Sequence, residues 1–428
     1  MARPPAASGE PWVPPGRAYY EDYEDWGGNG SLLGAPGCAW PAEDEEAAAD
    51  WEVSFSLLPV LYMLVFVLGL SGNGLVLLTV CRGGGAGGRR RSADAYLAHL
   101  ALADLAFVVT LPLWAAYTAL RFHWPFGSAL CKLSSYLVLL NMFASAFCLG
   151  GLSVERYLAI VRAVPRLAGR APAGCGGASS SSPSPARPRP ATLLALGTVW
   201  LLAALLALPA LLLRDTRPGG FPDGNASDAA VIQCDMDFSR VASSPAEEGY
   251  WLAALSLATT ALGFVLPLLL MTLCYCCIGA TVRRHFQQHQ QQQPQPPSSG
   301  RRKEDGQQRR RLLRILVALV GVFAGCWLPF HLLKSLFVLD WVGLLPLPCA
   351  LQQLVVRLHP YATCLAYINS CLNPFLYAFF DGRFRAQCRL LLGLRRRARR
   401  APAAAGSVSS TLSGQTQKSE APSLGTKV

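Results

Sequence analysis

Hydrophobic residues along this chain fall into seven solid runs, at about residues 55–81, 95–119, 129–161, 191–213, 250–282, 311–339 and 351–380. Each is long enough for a helix to cross a bilayer, which takes roughly 20 residues. A transmembrane barrel would instead show weak alternation over segments of roughly 10 residues. The pattern predicts an all-α membrane protein, a seven-transmembrane helix bundle over residues 55–380. The polar stretches divide the remainder. Residues 1–54 read as a disordered acidic N-terminus, about 285–308 as a Gln- and Pro-rich loop, 381–394 as a short amphipathic membrane-surface helix and 395–428 as a disordered Ser/Thr-rich tail.

Composition agrees with the runs. With 52% hydrophobic and 15% charged residues the chain is too apolar for an ordinary soluble protein. The formal charge of +12 is distributed by topology. Arg82 and Arg89 to Arg91 follow the first run, Arg162 to Arg189 the third, Arg283 to Arg311 the fifth, and Arg383 to Arg400 the seventh. The positive-inside rule makes these faces cytoplasmic and the N-terminus extracellular, and removes nucleic-acid binding as the explanation of the charge. No signal-peptide core precedes residue 55, so the first helix is expected to act as an uncleaved anchor.

Polar groups inside the runs carry the candidate chemistry, because each is costly in lipid unless it faces protein or a water-filled cavity. The stretch from Asn369 to Tyr377 puts Asn369, Ser370, Asn373 and Pro374 inside the seventh helix, and Pro374 loosens it there. Asp104 is the one carboxylate deep in the runs; its candidate neighbours are Asn73, Asn141, Ser145, Asn369, Ser370 and Asn373. Such a cluster is either a satisfied hydrogen-bond network or a sodium or proton site whose occupancy differs between two helix arrangements. Glu155-Arg156-Tyr157 ends the third helix; an acid beside an Arg at a membrane boundary holds it until something competes. Trp327 and Pro329 form a hinge with an aromatic lever in the sixth helix, and Pro267 and Tyr275 mark the fifth.

The outer and inner margins add modification sites. Of fourteen cysteines, Cys38, Cys131, Cys234 and Cys349 lie on the extracellular side, which suggests two disulfides among three possible pairings. Asn29 and Asn225 head glycosylation sequons on that same side. The acidic and aromatic cluster Tyr19 to Trp26 suits docking of a basic peptide or tyrosine sulfation. On the inner side Cys388 is a palmitoylation candidate, and Ser407 to Ser423 read as a phosphorylation segment.

Taken together, Asn73, Leu100 to Asp104, Cys131, Glu155-Arg-Tyr157, Trp200, Pro267, Cys326-Trp-Leu-Pro329 and Asn373-Pro-Phe-Leu-Tyr377 resemble the rhodopsin-like (class A) G-protein-coupled receptors, across all seven helices. Val108 to Trp114, Trp124 to Gly127, Cys131 to Tyr136 and Asn369 to Asp381 are similar to the apelin-receptor branch of that family. That resemblance implies no enzyme activity and a plasma-membrane receptor for apelin and Elabela-type peptides. It also implies inhibitory G proteins, receptor kinases and arrestins as partners, and no cofactor beyond an allosteric sodium ion at Asp104. The implied disulfides are Cys131–Cys234 and Cys38–Cys349. The implied peptide site comprises Trp114, Tyr117, Arg214 and Lys334, with Glu21, Asp22, Glu24 and Asp25 catching the ligand's basic part. The chain departs from the branch at Arg121 and His123, where acids are expected, and at Ala350, Leu351 and Gln352. Arg309 to Arg311 supply no acid for Arg156, which predicts basal signalling. Angiotensin-, bradykinin- or chemokine-like peptide receptors share much of the pattern. A transporter fits poorly, with no internal repeats and one buried carboxylate.

Overall fold

The computed structural model describes residues 45–82, 92–168, 190–219, 231–292, 300–380 and 382–391. Glu21, Asp22, Glu24, Asp25, Asn29, Cys38, Asn225 and the tail from 395 to 428 lie outside the described residues. Among the described residues, six helical spans are long and apolar enough to cross a membrane: Glu52–Arg82, Ser92–Ala119, Gly127–Ile160, Pro190–Leu213, Glu247–Thr281 and Arg314–Trp341. The seventh, Cys349–Phe380, has the length, but Gln352, Gln353, Arg357, His359, Asn369, Ser370 and Asn373 dilute its apolar content. A short helix, Gly382–Leu391, follows it where the amphipathic segment was expected.

The third span is the hub, packed against the second, fourth and fifth, while the first packs on the second and seventh and the seventh on the sixth. Leu100, Met142, Phe143, Leu152, Leu319, Phe323 and Trp327 join one inner cluster. Leu194, Leu201, Leu205 and Leu212 stay exposed along the fourth span, the face a bilayer would cover. Small residues set the closest approaches, as is usual where helices meet in lipid. A Cβ at Gly72 would stand 2.9 Å from Pro374 Cγ, and one at Gly69 would stand 2.8 Å from Val108 Cγ1. The proline ring cannot rotate aside, so Gly72→Ala is expected to cost about 1–3 kcal/mol by overpacking. A lowered melting temperature in detergent checks this; an unchanged one would mean the seventh helix yields at Pro374.

Several elements depart from the hydrophobic pattern. The first helix begins at Glu45, inside the stretch read as disordered. The run of alanines at 47–49 has high helix propensity. The expected loop at 285–308 is partly helical, because one helix runs on to Gln292 and the next starts at Gly300. The second run is two helices, Ser92–Val108 and Leu111–Ala119. Pro112 has no N–H for the Val108 carbonyl, and the Thr110 hydroxyl and amide both turn back to the Phe107 carbonyl at 2.8 Å. In the fifth span a π-helical turn, Ala261–Val265, precedes Pro267. Between the fourth and fifth spans, β1 (Arg214–Gly219) and β2 (Val231–Met236) pair antiparallel with Thr216 opposite Cys234. No hydrophobic alternation announces this hairpin.

Candidate functional site

The centre of the bundle holds a polar cluster around Asp104, which is wholly buried. Asn141 donates to one carboxylate oxygen at 3.2 Å and Asn373 to the other at 2.9 Å. Asn141 also donates to the Ser370 hydroxyl at 3.2 Å, which brings Ser370 into the same cluster. Ser145 is one step away, donating to Asn141 Oδ1 at 2.9 Å. Asn73 does something else: its amide donates to the Gly69 carbonyl at 3.0 Å and the Ser370 carbonyl at 2.8 Å, pinning the first span to the seventh. Asn73 is therefore a helix clamp, not a ligand of Asp104, because the close approach at Gly72 brings its amide to the seventh backbone first. Its Oδ1 is buried without a hydrogen-bond partner among the described residues. Asn369 is buried in the same stretch.

The switch residues separate into two groups. Trp327 is buried beside Phe323, Phe330 and His331, with ring centroids 6.4, 5.8 and 5.8 Å away. His331, not singled out from the sequence, joins the fifth and sixth spans. Its ring stacks on Phe264 of the π-helical turn at 4.9 Å, and its Nδ1 lies 3.1 Å from Thr260 Oγ1. The signal was present, since an ionisable side chain inside a span is a functional candidate by default. Pro329 lies within the unbroken sixth helix. Toward the end of the third span remote from the hairpin, Arg156 pairs with Glu155 at 3.5 Å. Tyr275 holds Ser153 of the same span by a 3.1 Å hydrogen bond and feels the Arg156 charge. Tyr377 is buried against Phe384 of the short helix, and its hydroxyl has no partner among the described residues. Cys388 is a free, half-buried thiol on that helix, and burial pushes its pKa up.

At the opposite end the hairpin closes over the bundle. Cys131 and Cys234 form a disulfide. Cys349 is also disulfide-bonded, while Cys38, its expected partner, lies outside the described residues. Beside the first disulfide, Asp215 of β1 accepts from Lys132 at 2.8 Å and from Ser128. These contacts hold its carboxyl well below the usual carboxylate range. A depressed pKa stabilises above the unfolded value and is lost as pH falls through the folded one. The Asp215 anchor is thus expected to persist through the pH range where ordinary carboxylates protonate. Hydrogen exchange of the hairpin amides, followed from neutral pH into acid, checks this; loosening near the ordinary Asp value would contradict it.

The two basic departures have local partners. Arg121 pairs with Glu52 at 2.6 Å and lies over the Phe55 ring. His123 Nδ1 accepts from the Ile232 amide at 3.2 Å, so it fastens the loop to β2. Trp114 and Tyr117 belong to an aromatic cluster with Trp124 and Phe122, Trp114 lying 6.0 Å from Tyr117 and 5.3 Å from Trp124. Arg214 donates to the Cys234 carbonyl at 2.5 Å, with Asp235 3.9 Å away. The Lys334 ammonium, in the sixth span, sits 5.7 Å from the Phe330 ring centre.

The chain is thus a helical bundle of membrane-crossing length with a buried carboxylate cluster, an Arg near one end of the third span and a disulfide-held hairpin at the other. The profile of the 7-transmembrane receptor (rhodopsin family) matches residues 72–175 and 180–377, and the chain belongs to that family of receptors, which are not enzymes. Among its relatives, the apelin receptor of Xenopus tropicalis is 56% identical over 379 residues, covering 89% of this chain and 92% of that one. Apelin receptor A of Danio rerio is 51% identical over 410 residues, covering 95% and 97%. The type-1 angiotensin II receptor A of Xenopus laevis is 31% identical over 331 residues, covering 77% and 78%. The chain is a multi-pass membrane protein of this family.

Proposed function

We propose that this receptor binds apelin and Elabela-type peptides at the plasma membrane, with its N-terminus outside and its C-terminus in the cytoplasm. It signals mainly through inhibitory G proteins, and receptor kinases and arrestins acting on the tail end the response. The observation that carries the ligand assignment is a pair of cations, Arg214 held by the Cys234 carbonyl of the hairpin and Lys334 over the Phe330 ring of the sixth span. Two such cations suit a peptide's C-terminal carboxylate, held by charge-assisted hydrogen bonds. Trp114 and Tyr117 offer apolar surface at the same end, and Glu21, Asp22, Glu24 and Asp25 would attract the ligand's basic residues. The names and identities of the apelin-receptor relatives support this reading over an angiotensin-like one.

Ligand binding shifts the population toward a state in which the sixth helix swings about Pro329 and Arg156 leaves Glu155 for the G protein. The shift can be no larger than the ligand's differential affinity for the two states. The donor set at Asp104 fits a sodium ion: carboxylate, hydroxyl and amide oxygens are hard ligands, and Asn73 Oδ1 is an orphaned acceptor nearby. Asp104, Ser145 and Ser370 would hold it, and its charge would balance the carboxylate in one arrangement of the helices.

The test is inhibition of stimulated cyclic AMP in cells expressing the chain, titrated with apelin, Elabela, angiotensin and a chemokine. Response to apelin or Elabela alone is expected, with G-protein turnover above mock membranes before any peptide is added. Silence to both, with surface expression verified, would remove the ligand assignment; turnover equal to mock would remove basal activity.

A further inference from the structure

At the hairpin end of the bundle, the helix Leu111–Ala119 stops in a turn that suits glycine and carries an arginine. The Arg121 amide donates to the Thr118 carbonyl at 3.1 Å and the Phe122 amide to the Tyr117 carbonyl at 2.9 Å, the two bonds of a Schellman cap. Such a cap puts the residue after the helix in the left-handed region, where glycine is the usual occupant. Here Arg121 has φ 54° and Phe122 φ 63°, a conformation that is strained for any bulky side chain. Phe122 offsets its strain by packing, with its buried ring 5.4 Å from Tyr117 and 5.4 Å from Phe55. Arg121 has no such return, because its side chain is half exposed. What the turn does for Arg121 is aim it. Its guanidinium lies 2.6 Å from the Glu52 carboxylate and 5.6 Å from the Phe55 ring centre. Glu52 and Phe55 are one turn apart in the first helix, so they offer a carboxylate and a ring on one face. That pairing of groups receives a cationic side chain, by charge-assisted hydrogen bonds and by the ring's negative face.

We propose that Glu52 and Phe55 form a subsite for a basic side chain of the peptide ligand, and that Arg121 is its resident occupant, displaced when the ligand's guanidinium or ammonium enters. The inference rests on the peptide-receptor reading above and deepens it. The subsite adjoins the proposed peptide site, because Phe55, Tyr117 and Phe122 share one aromatic cluster with Trp114. Both partners of the ion pair are half exposed, so a ligand reaches them without opening the bundle. Exposed pairs of this kind are worth at most about a factor of five, which makes the contact easy to exchange. Arg121 is then a specificity residue: a peptide gains Glu52 only by removing Arg121, and a peptide without a cation at that point leaves the pair in place.

The experiment measures apelin affinity for the full-length receptor in detergent, over a double-mutant cycle of Arg121→Asn and Glu52→Gln. Asparagine tolerates the left-handed turn, so the first variant keeps the cap. Arg121→Asn is expected to tighten binding about threefold and Glu52→Gln to weaken it, while Arg121→Asn added to Glu52→Gln changes little. Arg121→Lys, which keeps the pair, should bind like the wild type. Replacing the peptide's basic residues one at a time by neutral isosteres should find one position that abolishes the gain. Equal effects of Arg121→Asn with and without Glu52, or a gain that survives every neutral replacement, would mean a diffuse charge effect and overturn the subsite. Apelin that binds wild type and variants alike also overturns it, and leaves the ligand assignment standing. Apelin that binds none of them removes the ligand assignment and this inference with it.

Discussion

Asp104→Asn is expected to abolish the effect of sodium on agonist binding. In the wild type, replacing an organic cation by sodium should weaken agonist affinity at least about fivefold, the lower end of ordinary coupling free energies. The reason is local. The carboxylate has one oxygen on Asn141 and the other on Asn373, so it ties the third span to the seventh. An asparagine there keeps only one acceptor, and its new N–H₂ faces an existing donor. One buried donor is then left without a partner, at about 1–3 kcal/mol. The variant should therefore also melt earlier. Ser145→Ala separates the two effects, because Ser145 touches Asn141 and leaves both carboxylate contacts intact. Its sodium response should fall with little change in melting temperature. Agonist affinity that remains equally sodium-sensitive in Asp104→Asn would place the ion elsewhere.

Cys234→Ser is expected to remove peptide binding more thoroughly than any change of a single charge. The Cys131–Cys234 bridge closes a sequence separation of 103 residues, and bridges over loops of that size are worth roughly 2–5 kcal/mol. It also sits where the other fastenings of the hairpin converge. Lys132 and Ser128 hold Asp215 next to it, and His123 and Trp124 hold Ile232 at the 3.2 and 2.7 Å contacts on the far edge. Arg214 takes its position from the Cys234 carbonyl. Freed from the bridge, Arg214 loses the carbonyl that fixes it, and the proposed two-cation site loses one of its members. A loss of about 100-fold in peptide affinity corresponds to about 2.7 kcal/mol. Saturation binding on receptor that still reaches the cell surface measures it. Near-normal affinity would mean that the polar fastenings alone hold the lid.

The separation of the two switch groups gives these expectations their context. His331 and Phe264 couple the fifth and sixth spans beside Trp327, while Tyr275 and Ser153 couple the fifth and third beside Arg156. A ligand at Lys334 is one helical turn from the first group. Its influence on Arg156 has to travel along the sixth helix past Pro329, and only paired substitutions measure such coupling.

The sequence by itself determined the spans, their order and the cost of each polar residue within them. Lipid admits only helices at that length, and unpaired polar groups in it are so expensive that Asp104 and the stretch Asn369 to Tyr377 had to mark an interior site. It also marked Trp114, Tyr117, Arg214 and Lys334, through motifs shared with a receptor branch. Partners were beyond it. That Asn141 and not Asn73 meets Asp104 depends on helix rotation and on how closely Gly72 lets the first span approach Pro374. That Arg121 and His123 are tied to Glu52 and Ile232 depends on contacts between loops and elements remote in sequence. The hairpin had no hydrophobic alternation to announce it, since strand pairing and a disulfide hold it instead of a buried face. Local preference sets where helices run; which side chains meet is settled by packing between distant segments, and only the tertiary structure decides that.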